Sequence, residues 1–148
     1  MRTGLITASV QSHATLYRLN RDHVLWPAIE SALTAVGELR KRIRQYAIDH
    51  GPNGATVVLY GSVESGEATA DSDVDLLVVV PDATSDAATE DFVFELGEQI
   101  RAWTGNPAQI IHMSESELHE SSNKADALVD TWLAQGEVLV GQALSADA

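Results

Sequence analysis

The stretch that decides the fold runs from Val57 to Val80 and reads VVLYGSVESGEATADSDVDLLVVV. A short apolar, β-branched run ends at Gly61-Ser62, residues 63–72 are mostly small, polar or acidic, and a second apolar run extends from Asp73 to Val80. Short β-branched runs bounded by turn residues are typical of strands. The stretch therefore predicts two strands joined by a tight turn and a polar loop.

The polar residues of this stretch predict a site for a phosphate and a metal ion. Gly61 has no Cβ, so its backbone can turn tightly and approach a ligand closely. Ser62 offers a hydroxyl and a backbone N–H, the donors that a phosphate needs. Asp73 and Asp75 are two residues apart on a strand, so we expect their carboxylates on the same face. Like charges on one face repel each other, and a divalent cation relieves that repulsion.

This motif, Gly61-Ser62, ten intervening residues and then Asp73-x-Asp75, resembles the signature of the nucleotidyltransferase superfamily related to DNA polymerase β. The chain is most similar to the small bacterial MNT-type proteins, many of which are antitoxins paired with HEPN-domain toxins. The resemblance is clearest from Val57 to Val80 and extends to about Leu118. It implies an α/β fold (mixed α+β), in which a small mixed sheet is flanked by helices.

Two other interpretations of the acidic residues exist. An ordinary turn between two strands would leave Asp71, Asp73 and Asp75 as solvated capping residues. The same three residues have the opening spacing of an EF-hand, but Leu76 stands where that loop needs glycine and no Glu occupies its twelfth position. The EF-hand is therefore excluded, and the ordinary turn stays as the alternative.

Composition predicts one globular protein with a real core. Its 148 residues suffice for a hydrophobic core, and the apolar fraction of 45% is normal for a globular protein. No uncharged apolar run of about 18 residues occurs, and the N-terminus lacks the layout of a signal peptide. Without cysteine, neither a disulfide framework nor a thiolate metal site can form. We therefore expect a cytoplasmic protein that does not span a membrane.

The net charge of −13 is unevenly distributed along the chain. Residues 1–50 hold seven Lys and Arg against four Asp and Glu, net +3, whereas residues 51–148 hold two against eighteen, net −16. The acidic part repels a nucleic-acid backbone, so DNA is not an expected partner. Its charge suits a basic, toxin-like protein partner, or it only maintains solubility.

The N-terminal residues predict a β-hairpin with strands at 5–10 and 15–19 and a turn at Gln11-Ser12-His13. The following phrase, Tyr17 to His23, resembles the junction at which a winged helix-turn-helix precedes an MNT domain, so the hairpin is similar to the wing alone. An isolated hairpin is marginally stable. We therefore expect it to pack on the domain or on a second copy of the chain, which would make a homo-oligomer. The predicted domains are 1–22, the wing-like remnant, and 23–148, the nucleotidyltransferase-like domain.

Helices and short strands complete the expected fold. One long helix is predicted from Trp26 to Asp49 on its apolar stripe at spacings of three and four. The cluster Arg40-Lys41-Arg42 with Arg44 is expected in its last turns, complementing the helix dipole or contacting a nucleotide, RNA or an acidic partner. The remaining predicted elements are a helix carrying Phe92, Leu96, Ile100 and Trp103, a strand from Ala108 to Met113, a helix opened by Ser114 and Glu117, a helix from about Lys124 to Gln135, and a strand at Val138–Val140.

The resemblance also implies roles for single residues. Superfamily members transfer a nucleoside monophosphate from a nucleoside triphosphate to a hydroxyl acceptor and release pyrophosphate. The nucleotide-binding residues would be Gly61, Ser62, Ser65 and Gly66. Asp73 and Asp75 would be catalytic and would bind Mg²⁺, a hard cation that prefers carboxylate, phosphate and water oxygens.

Two positions depart from the family pattern. Gln109 stands where the family carries a third carboxylate, and a neutral amide is a poor Mg²⁺ ligand that cannot act as a general base. Ser65 stands before Gly66, where relatives commonly carry a basic residue. His112 is titratable, but three residues along a strand it should face the opposite side from Gln109.

Three hypotheses for the function follow from these residues. The first is an MNT-type transferase that adds a nucleotide, AMP from ATP or another one, to a Tyr, Ser or Thr of a partner protein such as a toxin. Asp75 or solvent would then replace the missing base. The second is a catalytically impaired relative that binds nucleotide and acts as a binding antitoxin or regulatory subunit. The third is an interaction module whose acidic face masks a basic toxin.

Overall fold

The computed structural model of the chain describes residues 4–11, 14–65, 72–123, 129, 132 and 135–144, without the side chain of Leu33. The chain divides into two compact units, Met1–Glu38 and Leu39–Ala148. Within the described residues, no helix has both the length and the apolar character needed to cross a membrane. The domain assignment 1–22 and 23–148 stays a prediction.

The first unit begins with the predicted hairpin. Strands β1 (Ile6–Val10) and β2 (Thr15–Leu19) pair antiparallel, and Ile6 lies opposite Leu19. Ser12 and His13 of the predicted turn lie outside the described residues. Both strands are exposed along their whole length. The hairpin itself is therefore confirmed, whereas its origin as a wing stays a prediction.

The single helix predicted from Trp26 to Asp49 is wrong, because the structure divides it at Thr34. Helix α1 is Trp26–Leu33 and helix α2 is Ala35–His50. The Thr34 hydroxyl donates to the carbonyls of Glu30 and Ser31, at 3.1 and 3.0 Å. A β-branched residue whose hydroxyl bonds to the preceding turn competes with regular helix geometry.

The predicted apolar stripe is confirmed only in its second part, and the basic cluster lies elsewhere than expected. Of the residues that form this stripe, Ile43 is buried and Leu39 and Tyr46 pack against the core, but Ala32 and Val36 are exposed. Residues 40–44 lie in the middle of α2, and His50 is the basic residue of its last turn. The helix dipole therefore does not explain the cluster, since that effect falls off beyond the terminal turn.

The second unit is built on a four-stranded mixed sheet with the order β5-β4-β3-β6. Its strands are β3 (Thr56–Tyr60), β4 (Val74–Val80), β5 (Ala108–Ser114) and β6 (Glu137–Val140). Strand β3 is antiparallel to β4 and β6, and β4 is parallel to β5. Besides most of α2, the helices described over their whole length in this unit are the short α3 (Gly61–Ser65), α4 (Asp86–Thr104) and α5 (Glu115–Asn123). This mixed sheet flanked by helices confirms the predicted fold class.

The core lies on both faces of the sheet, because strand side chains alternate between them. On one face, β3 and β4 pack against Ile43 of α2 and against Phe92, Leu96 and Ile100 of α4. On the other face, Leu77 and Val79 pack with the helical residues Val129 and Trp132. Strand β4 is almost wholly buried, as its continuous apolar run predicts. Asp75 is the charged position within this strand.

The predicted ends of the helices are confirmed where the structure describes them. Ser114 and Glu117 form the predicted capping box, with 2.8 Å from the Ser114 N–H to the Glu117 carboxylate and 3.2 Å from the Glu117 N–H to the Ser114 hydroxyl. Helix α4 ends at Thr104, and Gly105 is its C-cap in the left-handed conformation. Of the last predicted helix, Val129, Trp132 and Gln135 are helical, and its other residues from 124 to 134 lie outside the described residues.

Candidate active site

The turn after β3 meets the start of β4 at one end of the sheet. Tyr60, the last residue of β3, pairs with Asp75, so Gly61 begins α3 directly beside the Asp75 side chain. Gly61 has a φ of +74°, and a Cβ built at this position would overlap the Asp75 carboxylate. Glycine is thus needed both for its left-handed backbone and for the close approach of the carboxylate. The sequence predicts that the Gly61 backbone closely approaches a ligand. In the structure this backbone lies against the carboxylate of Asp75.

Asp73 and Asp75 lie together at this end of the sheet, as their spacing predicts. Both are half-buried. Burial raises the pKa of Asp75, and the charge of Asp73 raises it further. Neither carboxylate forms an ion pair with a Lys or Arg of the described part of the chain. Two carboxylates that destabilise each other are a donor set that fits a hard divalent cation.

Gln109 occupies the third corner of the site. Strands β4 and β5 are parallel, and Gln109 lies opposite Asp75 in their register. Its Nε2 donates to Oδ2 of Asp73 at 2.7 Å. The structure therefore brings Asp73, Asp75 and Gln109 together, and the side-chain amide of Gln109 donates a hydrogen bond at the position of the third carboxylate. Within the described residues, no group of three or more His, Cys, Asp or Glu side chains could hold a metal ion.

His112 lies on β5 three residues beyond Gln109, paired in register with Val78. It is exposed. Gln109, Ile111 and Met113 alternate with Ile110 and His112 along the strand, so His112 points to the opposite face from Gln109. The structure does not bring His112 to the carboxylates.

The turn before β5 holds the start of β4 in place. The Asn106 Nδ2 donates to the Ser72 carbonyl at 3.0 Å. The Val74 N–H donates to the Pro107 carbonyl at 3.1 Å. These bonds fix the backbone on both sides of Asp73. A turn residue's distant partner leaves no mark on the local sequence pattern, so these two hydrogen bonds are not predictable from the sequence.

Tyr60 is a further residue of this end of the sheet that the sequence motif does not single out. Its pKa is raised by burial and then by the charge of Asp75, and a hydrogen bond with Trp132 opposes these effects. The Tyr60 and Trp132 rings have centroids 5.9 Å apart. The sequence signal that could have identified Tyr60 is its position directly before Gly61.

The residues expected to hold the nucleotide phosphates lie in and after α3. Ser62 is half-buried and Ser65 exposed, and the Ser65 hydroxyl donates to the Ser62 carbonyl at 3.3 Å. Gly66 and Asp71 lie outside the described residues. The nucleotide-binding roles of Gly61, Ser62, Ser65 and Gly66 stay predictions, as do the catalytic and metal-binding roles of Asp73 and Asp75.

A cavity of about 580 Å³ opens at the opposite end of the sheet, where Thr56 pairs with Val79. Its lining includes Asp82, Glu115 and Glu120. Without a cation, negative side chains repel a triphosphate, and the described residues of this lining form no group of three or more acidic or histidine side chains that could hold a metal ion. The cavity is therefore a poor candidate for a nucleotide site, despite its size.

The nucleotidyltransferase domain family matches residues 39–130, which include Gly61, Ser62, both aspartates and Gln109. The chain belongs to this family. The match falls within the second compact unit, which carries the sheet and all three corners of the site. It confirms the family membership that the motif predicted. A comparison with curated protein sequences found no significant match.

Solved structures with a similar fold come from toxin–antitoxin complexes. A chain of a mutant MntA–HpeT toxin–antitoxin is 16% identical over 73% of this chain and 77% of that chain, with a TM-score of 0.51. A chain of a toxin–antitoxin with AMP-PNP is 19% identical over 70% and 73%, with a TM-score of 0.49. A chain from a complex of tri-AMPylated Shewanella oneidensis HEPN toxin with MNT antitoxin is 16% identical over 72% and 73%, with a TM-score of 0.45. At these identities the likeness concerns the fold. The winged-helix origin of the hairpin stays a prediction.

Proposed function

We propose that this protein is a Mg²⁺-dependent nucleotidyltransferase that transfers a nucleoside monophosphate, AMP from ATP, to a partner protein. The observation that carries the proposal is the placing of Asp73 and Asp75 beside the Gly61 turn at one end of the sheet. Family membership of residues 39–130 supports a transferase of this general kind.

The residues present fit a magnesium ion. Asp73 and Asp75 are half-buried carboxylates, and neither has a Lys or Arg partner among the described residues. Burial, and then the charge of Asp73, raise the pKa of Asp75. We assign both to Mg²⁺. When bound, the ion would offset the negative charge of the triphosphate and of the reacting oxygens.

The transfer reaction needs the nucleotide and the acceptor held in line. Gly61 and Ser62 would hold the β- and γ-phosphates through backbone N–H and hydroxyl donors. The acceptor hydroxyl oxygen forms a bond to the α-phosphorus, and the bond from that phosphorus to the bridging oxygen breaks. Pyrophosphate leaves, and the hydroxyl proton passes to Asp75 or to solvent. Gln109 cannot take that proton, because an amide is not a base at neutral pH.

We further propose that the acceptor is a HEPN-like toxin and that the protein acts as an MNT-type antitoxin in the cytoplasm. The charge of −16 on residues 51–148 suits a basic partner. The chains of similar fold come from toxin–antitoxin structures, one of them described as holding a tri-AMPylated HEPN toxin. A Tyr, Ser or Thr side chain of the toxin would supply the hydroxyl.

Incubation with radiolabelled ATP tests the transferase proposal. The purified protein is mixed with α-³²P-ATP, Mg²⁺ and the HEPN-type protein encoded in a neighbouring reading frame. We expect label on the partner protein that disappears with EDTA or with Asp73→Asn. Absence of label with the wild-type chain, under conditions in which it binds Mg²⁺-ATP, would rule transfer out.

The Gln109–Asp73 hydrogen bond favours a second candidate function. An amide in place of the third carboxylate removes one charged ligand and the expected base, which weakens catalysis more than nucleotide binding. A catalytically impaired chain would still bind Mg²⁺-ATP and could act as a binding antitoxin or regulatory subunit. Calorimetric binding of Mg²⁺-ATP without any transfer would favour this function, and absence of binding would leave the acidic interaction module.

A further inference from the structure

Arg40 of α2 differs in burial from the other residues of the basic cluster. It is half-buried, whereas Lys41, Arg42 and Arg44 are exposed. Its side chain is 26% accessible and reaches three acceptors at once, two of them in the short helix that begins at Gly61. A cation placed for solubility alone would extend into water instead.

The contacts of Arg40 join three elements of the second unit. Its Nε donates to Oε2 of Glu137 at 2.6 Å, and Glu137 is the first residue of β6. Its Nη2 donates to the carbonyls of Val63 and Glu64 in α3, at 3.3 and 3.2 Å. The planar guanidinium presents several donors in a fixed geometry, so one side chain can hold a carboxylate and two carbonyls together.

These contacts fix the far end of the turn that carries Ser62. The near end is fixed by Gly61, whose backbone packs against the Asp75 carboxylate. The last carbonyls of a helix have no partner within the helix, and a five-residue helix cannot hold its own conformation. Arg40 supplies partners for two of these carbonyls. The turn is thus held at Gly61 by the strand and at Val63 and Glu64 by α2.

We propose that Arg40 is a positioning residue that holds the Gly61–Ser65 turn in the conformation that binds the nucleotide phosphates, with Glu137 orienting its guanidinium. This inference rests on the proposed function, because it assigns the turn to the triphosphate. Arg40 itself touches no phosphate in this scheme and acts through the turn. Its removal therefore loosens the turn and weakens nucleotide binding.

Hydrogen–deuterium exchange of the nucleotide-free protein tests the structural half of the inference. Arg40→Met keeps the length and apolar stem but removes every donor, and Arg40→Lys keeps the charge with a single donor group. We expect amide exchange in a peptide covering residues 61–65 to become at least threefold faster in Arg40→Met and less so in Arg40→Lys, with β4 unchanged. The matched control is Arg44→Met, which removes an exposed cation from the same helix and should leave residues 61–65 as in the wild type.

Calorimetry with Mg²⁺ and the ATP analogue AMP-PNP tests the functional half. We expect the dissociation constant to rise about tenfold in Arg40→Met, equivalent to about 1.4 kcal/mol, to rise less in Arg40→Lys, and to stay unchanged in Arg44→Met. In a transfer assay, Arg40→Met should raise KM for ATP with kcat restored at saturating nucleotide, a split that general destabilisation does not produce.

The two readouts separate the possible failures. If the wild type binds AMP-PNP and Arg40→Met binds it equally well, Arg40 is not a positioning residue and the inference is wrong. If the wild type does not bind AMP-PNP, the proposed function fails, and the inference falls with it even if exchange at residues 61–65 increases. Should Arg40→Met fail to fold, the same comparisons are made with Arg40→Lys, for which unchanged exchange and unchanged affinity would overturn the inference.

Discussion

Replacement of Gly61 by alanine tests the close packing of the turn against Asp75. Gly61 has a φ of +74°, and the added Cβ would overlap the Asp75 carboxylate. The left-handed backbone costs an alanine about 1–2 kcal/mol. Displacing neighbouring atoms to make room costs a further ~1–3 kcal/mol. We therefore expect Gly61→Ala to lower the free energy of unfolding by about 2–5 kcal/mol.

Gly105→Ala is the matched control for this change. Gly105 has a φ of +81°, but a Cβ added there meets nothing within 4 Å. It should therefore suffer only the backbone cost, about 1–2 kcal/mol. The smaller freedom of alanine in the unfolded chain affects both variants alike and cancels in the comparison. The difference between the two variants measures the contact with Asp75.

Urea denaturation at pH 7 in EDTA, followed by circular dichroism, gives the two free energies. Thermal melts should agree, since 1 kcal/mol shifts the midpoint by about 2–4 °C in a protein of this size. If Gly61→Ala loses no more stability than Gly105→Ala, the carboxylate does not pack against the turn. The geometry assigned to the site would then be wrong.

Three further predictions concern the carboxylates Asp73 and Asp75 with Gln109, the ionisation of Asp75, and Asp82 at the other end of the sheet. Asp73→Asn and Asp75→Asn should each abolish label transfer from α-³²P-ATP, whereas Gln109→Asp should keep or raise it; loss of transfer in Gln109→Asp would contradict the placing of that residue. Because the folded-state pKa of Asp75 is raised, its ionised form destabilises the folded protein at neutral pH, and this penalty fades as the pH falls through the raised pKa. Metal-free Asp75→Asn should therefore melt above the wild type at pH 7 and lose that advantage in acid; an equal advantage at both pH values would refute the assigned cause. Asp82 behaves oppositely, since hydrogen bonds from Ser116 lower its pKa. Asp82→Asn should therefore be less stable than the wild type at pH 7, and this difference in stability should shrink as acid protonates the wild-type carboxyl. A difference that stays constant with pH would contradict this.

The strands and the aspartate pair could be predicted because their signals are local. The run from Val57 to Tyr60, the Gly61 turn and the alternation at Asp73 and Asp75 each specify a conformation within a few residues. The same locality explains the failure at Thr34, since the apolar spacing continues through this residue and hides the break. A hydroxyl that bonds to the preceding turn is not visible in hydrophobic periodicity.

The supporting contacts of the site could not be predicted in the same way. Arg40 and Glu137 are 97 residues apart, and Asn106 and Ser72 are 34 apart. Periodicity states which face of a helix a residue occupies, but it does not state which distant acceptor lies opposite that face. Gln109 is the exception, because the family pattern gave its position and the parallel register of β4 and β5 then placed it opposite Asp75.

A crystal structure of the protein grown with Mn²⁺ and AMP-PNP tests the central claim most directly, since manganese replaces magnesium and gives an anomalous signal. We expect an anomalous peak held by both Asp73 and Asp75, with the β- and γ-phosphates on the backbone of Gly61 and Ser62. Side chains of Asp73 and Asp75 that point apart, with neither metal nor phosphate at the turn, would contradict the claim.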